Sequence, residues 1–474
     1  MGLGRTFVSS LLAISLVACG GGGSSGGGGT VGGGGGSGGG TSDTCSLSDR
    51  QDWVLGEMDE WYLFPGLLDT SVAKSSHSTV QSYINALVAP ARAQDRDRFF
   101  TYITSIEEEN DLINSGSNAG FGIRLTYDAT AREVFVVEAF ENAPAFAEGI
   151  DRGTQILAIG GQTVETLFQS GGTQAVVDEL GPSDPGVSRS LRIRQPDGSE
   201  ATVSVTKAEY SLDPLSDRYG AKILDNGGTK VGYINLRTFI IDDAKRQLRE
   251  AFRTFRAQGV TEVILDFRYN GGGLVSVAEV LGDLLAADKT GQVFSKTLFR
   301  DSKSSFNEER RFAAETQAIA ATKIAVIGTD GTASASELVA NAFIPFLGNN
   351  IALIGSNTFG KPVGQIARDR SACDDRLRVV AFRSVNANDQ GGYYGGLADV
   401  MPRTCRAEDE ILKPLGDPTE ASIAAALDFL GGRSCTAIGA AGGAVATAQQ
   451  SPGRRELLMP SAPTPAQLEI PGLN

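Results

Sequence analysis

Between Asp213 and Gly432 short apolar runs alternate with longer amphipathic stretches, and nothing else in the chain restricts its fold so strongly. KVGYINLRTF (from Lys230) reads as a strand, DAKRQLREAFRTFRAQG (from Asp243) as an amphipathic helix ending at Gly259, and TEVILDF (from Thr261) as a buried strand. LVSVAEVLGDLLA, KIAVIG, SELVANAFIPFL and IALI continue the alternation as helix, strand, helix and strand. Such a rhythm predicts an α/β region with a mostly parallel sheet covered by helices. Ligands of these sheets gather at the carboxyl ends of the strands. Two small-residue motifs fall there: DFRYNGGG (Asp266–Gly273) and GTASASE (Gly331–Glu337).

The flanking regions have other textures. Residues 43–114 read as a helical N-terminal domain, with Trp53, Met58, Trp61 and Phe64 near helical spacing as a core-facing stripe. Residues 115–210 read as a small β domain with one short helix: GFGIRLTYDATAREVFVVEAF is strand, turn, strand, and SRSLRIRQPDGSEATVSVTKAEY is a hairpin closed at PDG. Residues 211–435 form the α/β region. Residues 436–474, rich in Ala, Gly, Pro and Gln, read as disordered.

The net charge of −14 argues against nucleic acid or an anionic lipid surface as the main partner. With one histidine, His77, and no C-x-x-C pair, the chain offers no His-rich or paired-cysteine metal site. Arg5, the apolar run FVSSLLAISLVA and Cys19 form residues 1–19, a targeting segment. LVAC resembles the lipobox of bacterial lipoproteins, which implies lipidation of Cys19. Residues 20–42 are a glycine-rich tether, and Gly20 after the cysteine suits the outer membrane of a cell envelope, facing the periplasm. Export leaves Cys45, Cys373, Cys405 and Cys435 to form two disulfides. The expected pairs are Cys373–Cys405, across a predicted hairpin, and Cys45–Cys435, joining the ends of the folded part.

A serine at the tip of a sheet needs a base, and no histidine stands near GTASASE. A desolvated lysine is the remaining candidate, since burial favours the neutral amine. Lys361 follows the strand IALI, which would lie beside KIAVIG and bring the lysine to the same sheet edge as the serine. Physics alone leaves Ser334 and Ser336 both open, and Ser334-x-x-Glu337 is also a helix-capping pattern.

NGGGL, GTASASE and TFGKPVGQ stand in the order found in the carboxyl-terminal processing peptidases, which this chain resembles from about Ser46 to Gly432. That resemblance implies a fold of the ClpP/crotonase type, Ser334 as nucleophile, Lys361 as base and Gln365 as the residue orienting it. It implies the N–H groups of Gly273 and Ala335 as the oxyanion hole. Serine 334 and the lysine are 27 residues apart, about two more than the family pattern, and Pro362 stands where glycine is usual. Ser356 stands where the family often has Glu.

The order of elements in 115–210 also resembles a circularly permuted PDZ domain, with Gly120, Phe121, Gly122 and Ile123 as the loop that holds a peptide's terminal carboxylate. APAFAEGIDRGTQILAIGGQ carries the second half of that match. The implied activity is an exported serine endopeptidase taking polypeptides by their free, apolar C-termini, without cofactor or metal and with any adaptor undefined. The competing reading is an inactive PDZ lipoprotein that serves as a peptide-binding scaffold. SVAK (Ser71–Lys74) with KTG (Lys289–Gly291) imitates a penicillin-binding pattern, but no S-x-N lies between them.

Overall fold

The computed structural model describes residues 45–439, 455–461 and 463–474. The targeting segment, Cys19 and the glycine tether lie outside the described residues. The alternating region forms a six-stranded sheet ordered Ala221–Asn226, Thr229–Asn235, Glu262–Asp266, Lys323–Gly328, Ile351–Gly355 and Thr404–Arg406. Its first pair is an antiparallel hairpin and the other four pairs are parallel. Successive residues of each strand feed opposite faces. Val263, Leu265, Ile324, Val326, Ile351 and Leu353 enter one core with the helices Ala244–Ala257, Val275–Leu285 and Ala335–Leu347. Ile264, Ala325, Ile327, Ala352 and Ile354 enter the other with the helix Ala421–Leu430. Both faces are therefore covered, and this is why the strand sequences are apolar without alternation.

The expectation of a mostly parallel sheet holds for this one sheet. Among the described residues the remaining three sheets are antiparallel throughout, so antiparallel pairing dominates there. One of them is built on the hairpin Val363–Arg370 with Asp375–Val385.

Of residues 43–114, those described supply the helices Leu47–Trp61, Val80–Leu87 and Ile106–Ser115. Val54, Met58, Tyr62, Ile84 and Leu87 share a core with Val363, Leu377, Val379 and Val380 of that hairpin. The strand Tyr102–Ser105 pairs with it directly. Trp53, Trp61 and Phe64 pack against the same core, so the aromatic stripe is packing.

In the β domain, Ile123–Asp128 pairs with Glu133–Ala139, and Ser188–Arg194 with Glu200–Thr206 around a turn in which Gly198 has φ +87°. Sequence reading found only the short helix Pro144–Ala147 and missed Val164–Leu180. Gly171 and Gly172 break the latter's backbone, with Gly172 at φ +66°, and so break the apolar period by which a helix is read.

Both disulfide expectations are corrected: the pairs are Cys45–Cys373 and Cys405–Cys435, with Cα atoms 5.5 and 5.3 Å apart. Cys373 sits in the turn of the 363–385 hairpin, beside the start of the first helix. Cys405 lies on the outermost parallel strand, to which the chain returns after the 421–430 helix, with Arg406 N–H bonded to Thr436 O. No hairpin joins 373 to 405.

The expectation of disorder over 436–474 is corrected for its last part. Glu456–Leu457 pairs antiparallel with the Ile123–Asp128 strand, Pro465–Glu469 is a short helix, and Leu473 bridges antiparallel to Arg124. Ala466, Ile470 and Leu473 share a core with Leu112, Phe140, Tyr210, Leu212, Ile240 and Ile241. A handful of apolar residues among Pro, Gly and Gln docks on surface that other segments supply, which composition does not register.

Candidate active site

Three loops meet at the carboxyl ends of adjacent parallel strands: one after Glu262–Asp266, one after Lys323–Gly328 and one after Ile351–Gly355. The middle loop turns sharply into the helix Ala335–Leu347. Thr332 Oγ1 donates to Phe267 O at 2.7 Å and Ala333 N–H to Asn270 O at 3.0 Å, which pins this loop to its neighbour. Ser334 sits at the bend with φ +55° and ψ −114°, a backbone region that a side-chain-bearing residue occupies at a cost of about 1–3 kcal/mol. It is partly exposed. Ser336 is fully buried and donates its hydroxyl to Asn270 O at 3.0 Å, so that hydroxyl is already committed.

The glycine loop lies against the bend. Asn270 is buried, donates to Leu236 O at 2.7 Å and accepts Gly272 N–H at 3.0 Å. Gly272 has φ +111°, and a Cβ there would fall 2.7 Å from Ser334 Cβ and 3.0 Å from Ala335 N. Gly273, at φ +132°, would drive a Cβ to 2.2 Å from Ile240 N. Only glycine allows this approach. Phe239 N–H holds Gly272 O at 2.7 Å, while among the described residues the N–H groups of Gly273 and Ala335 donate to no acceptor. Free backbone donors beside a serine can receive an oxyanion.

Lys361 is partly buried. Its Nζ donates to Gln365 Oε1 at 2.9 Å and lies 5.2 Å from the Phe100 ring centre. Gln365 Nε2 donates to Phe100 O at 2.6 Å, which fixes the amide so that its oxygen faces the lysine. Burial pushes the Lys361 ammonium below its usual 10.5; Glu469 and Asp97 oppose that, Arg378 adds to it, and Glu337 opposes it.

Sequence reading gave Glu337 no role beyond a capping pattern, but its buried carboxylate joins the loops. Oε2 accepts Ser334 N–H at 3.0 Å and Lys361 N–H at 2.7 Å. Oε1 accepts Thr358 Oγ1 at 2.6 Å and Gly360 N–H at 2.8 Å. Burial still raises its pKa above the ordinary carboxylate range despite these four donors. The spacing Ser334-x-x-Glu337 was the visible signal for half of this arrangement.

Gly120, Phe121, Gly122 and Ile123 form a separate feature at the start of the β-domain strand. Phe121 is buried under Lys207 Nζ, which lies 4.5 Å from its ring centre. Gly122 has φ +73°, and a Cβ would fall 1.9 Å from Ala143 Cβ. The N–H groups of Gly122 and Ile123 both donate to the carbonyl oxygen of Asn474, at 2.9 and 3.2 Å. Ser71 and Lys74 are elsewhere and occupied, with Asp69 and Asp52 respectively.

Residues 230–392 match the model described as peptidase family S41. The chain is 28% identical over 247 residues to a carboxyl-terminal-processing protease of Picosynechococcus sp., covering 52% of this chain and 55% of that protein. It is 31% identical over 274 residues to a chloroplastic C-terminal processing peptidase of Tetradesmus obliquus, covering 54% of each. The chain thus spans about half the length of the curated relatives it matches. Its fold is similar to that of a solved S41-type structure from Bacteroides fragilis NCTC 9343, with TM-score 0.63 and 23% identity over 80% of this chain and 97% of that one.

Proposed function

We propose that the chain, whose residues 230–392 match peptidase family S41, is a serine endopeptidase of the carboxyl-terminal processing type in which Ser334 is the nucleophile and Lys361 its base. The observation that carries this reading is Glu337: one buried carboxylate oxygen accepts both Ser334 N–H and Lys361 N–H, holding the two loops in one arrangement. The neutral Lys361 amine takes the Ser334 proton as Oγ attacks a peptide carbonyl. The oxyanion is received by the N–H groups of Gly273 and Ala335, each donor being worth about 2.7–4 kcal/mol in such sites. The lysine then passes the proton to the leaving amine, and water releases the acyl group. Gln365 keeps the ammonium aimed throughout.

The substrate class is polypeptides presented by their C-terminal ends. Support comes from the Gly120–Ile123 loop, whose paired N–H groups donate to a carbonyl oxygen and whose strand takes further segments along its outer edge; this is the PDZ reading of residues 115–210. We assign the protein to the cell envelope through Cys19, a placement with which two disulfides agree.

The test is cleavage of an unfolded protein by wild type, Ser334→Ala, Ser336→Ala and Lys361→Ala. The first and third substitutions should lower turnover by about 10³-fold or more. Ser336→Ala should keep the chemistry and lose about 0.5–1.5 kcal/mol of stability, because one buried hydrogen bond goes while Asn270 O still accepts Ala333 N–H. A folded wild type that binds peptides and cleaves none would instead be an inactive scaffold.

A further inference from the structure

The free edge of the Ile123–Asp128 strand, where an added peptide would lie, is already filled by this chain. Asn474 accepts from Gly122 and Ile123 and donates its own N–H to Ile123 O at 2.8 Å. Leu125 N–H donates to Gly472 O at 2.8 Å, and Leu458 N–H to Leu125 O at 2.9 Å. The glycine-lined contact is close, since a Cβ on Gly120 would fall 3.2 Å from the Asn474 carbonyl carbon.

The same segment continues across the candidate active site. A Cβ on Gly271 would meet Pro471 Cδ at 2.9 Å and Glu469 O at 3.0 Å, and one on Gly331 would meet Leu457 Cδ1 at 2.6 Å. The backbone from 469 to 471 therefore rests on the glycine loop, and Leu457 rests on the start of the serine loop. Ile470 and Leu473 are buried as anchors, and Tyr102 holds Glu469 Oε1 at 3.0 Å. Glu469 is also the strongest of the carboxylates opposing the depressed pKa of Lys361.

We propose that the segments 455–461 and 463–474 are in-cis occupants of the peptide groove that also cover the glycine loop, so that a substrate chain must displace them to reach Ser334. The restraint on cleavage rests on the peptidase reading; the occupancy of the groove does not. An attached segment competes at an effective concentration of about millimolar, which excludes weak external peptides and admits strong ones.

The test uses the full chain, as wild type and as the double variant Ile470→Asp/Leu473→Asp, with a fluorescein-labelled peptide of residues 463–474 as probe. In wild type the amides of Gly122, Ile123 and Leu125 should exchange slowly and the probe should bind weakly. In the variant those amides should exchange about tenfold faster or more, while the Leu191 and Ile193 amides keep their protection. The probe should bind the variant about tenfold more tightly, and cleavage of an unfolded protein should rise by a similar factor. Equal probe binding by both forms overturns the proposal. So does fast exchange of the Gly122, Ile123 and Leu125 amides in wild type, a result that needs no variant to fold. Altered exchange and probe binding without any Ser334-dependent cleavage keeps the occupancy and sinks the peptidase reading. Ser334-dependent cleavage with unaltered exchange and binding does the reverse.

Discussion

Lys361 can serve as a base only when neutral, and its surroundings act on that equilibrium from several sides. Burial lowers its pKa below the usual 10.5, Glu469 and Asp97 raise it, Arg378 lowers it and Glu337 raises it. Because the unprotonated fraction grows with pH, kcat/KM should climb from acidic to alkaline conditions and level off above the pKa of the free enzyme's lysine. Glu469→Gln removes the largest opposing carboxylate, so the climb should move to lower pH. A pH series of kcat/KM on both forms decides the point. A flat wild-type profile excludes the lysine as base, and two superimposed profiles exclude Glu469 as an influence on it. The charge that matters most here comes from a residue 108 positions along the chain, 469 − 361, and no local pattern around Lys361 announces it.

Among elements, the first turn of the Ala335–Leu347 helix has the broadest influence, because Glu337 satisfies four donors drawn from two loops. Glu337→Gln keeps the shape but turns an NH2 group toward two of those donors. A buried donor left unpaired costs about 1–3 kcal/mol, so the substitution should destabilise by about 2–6 kcal/mol in denaturant unfolding and depress turnover with it. Loss of turnover at unchanged stability would assign Glu337 to the chemistry instead. What could be read from sequence divides along the same line between local and distant. The strands at 262–266, 323–328 and 351–355 and the loops that follow them were legible, because apolar runs and small-residue turns are local signals. Ser336 could be told from Ser334 only once Asn270 was seen to take its hydroxyl. The second half of Glu337's contacts, with Thr358, Gly360 and Lys361, spans 21 to 24 residues and left no pattern. The Val164–Leu180 helix was hidden by Gly171 and Gly172. The cysteine pairs and the docking of segments 455–461 and 463–474 depend on which surfaces meet in three dimensions.

For the whole molecule, what matters is how the β domain is fixed to the α/β part, and buried ions do this in two places. Glu138 accepts from Arg124 at 2.8 Å, Arg237 at 2.7 Å and Tyr219 at 2.9 Å, linking the groove strand to the segment whose Phe239 holds Gly272. At the second place Arg152 of the β domain donates to Asp409 at 2.6 Å, and Arg268 donates to Asp409, Asp266 and Glu420. Tyr269 also donates to Asp409. Burial alone would raise the Asp409 pKa, but Arg152, Arg268 and the Tyr269 hydroxyl outweigh it and lower it to about 2. The unfolded chain takes up that proton near the ordinary 3.8, so between 3.8 and about 2 it binds more protons than the folded one. The stabilisation is complete above that window and disappears as pH falls through it. Asp409→Asn leaves two guanidinium groups short of a carboxylate. It should cost about 2–3 kcal/mol near neutral pH and flatten the acid limb of stability against pH. Urea midpoints from pH 6 down to pH 2 for both forms provide the check. Parallel acid limbs would mean that Asp409 does not carry the linkage, and that the β domain is held chiefly by the cluster around Glu138.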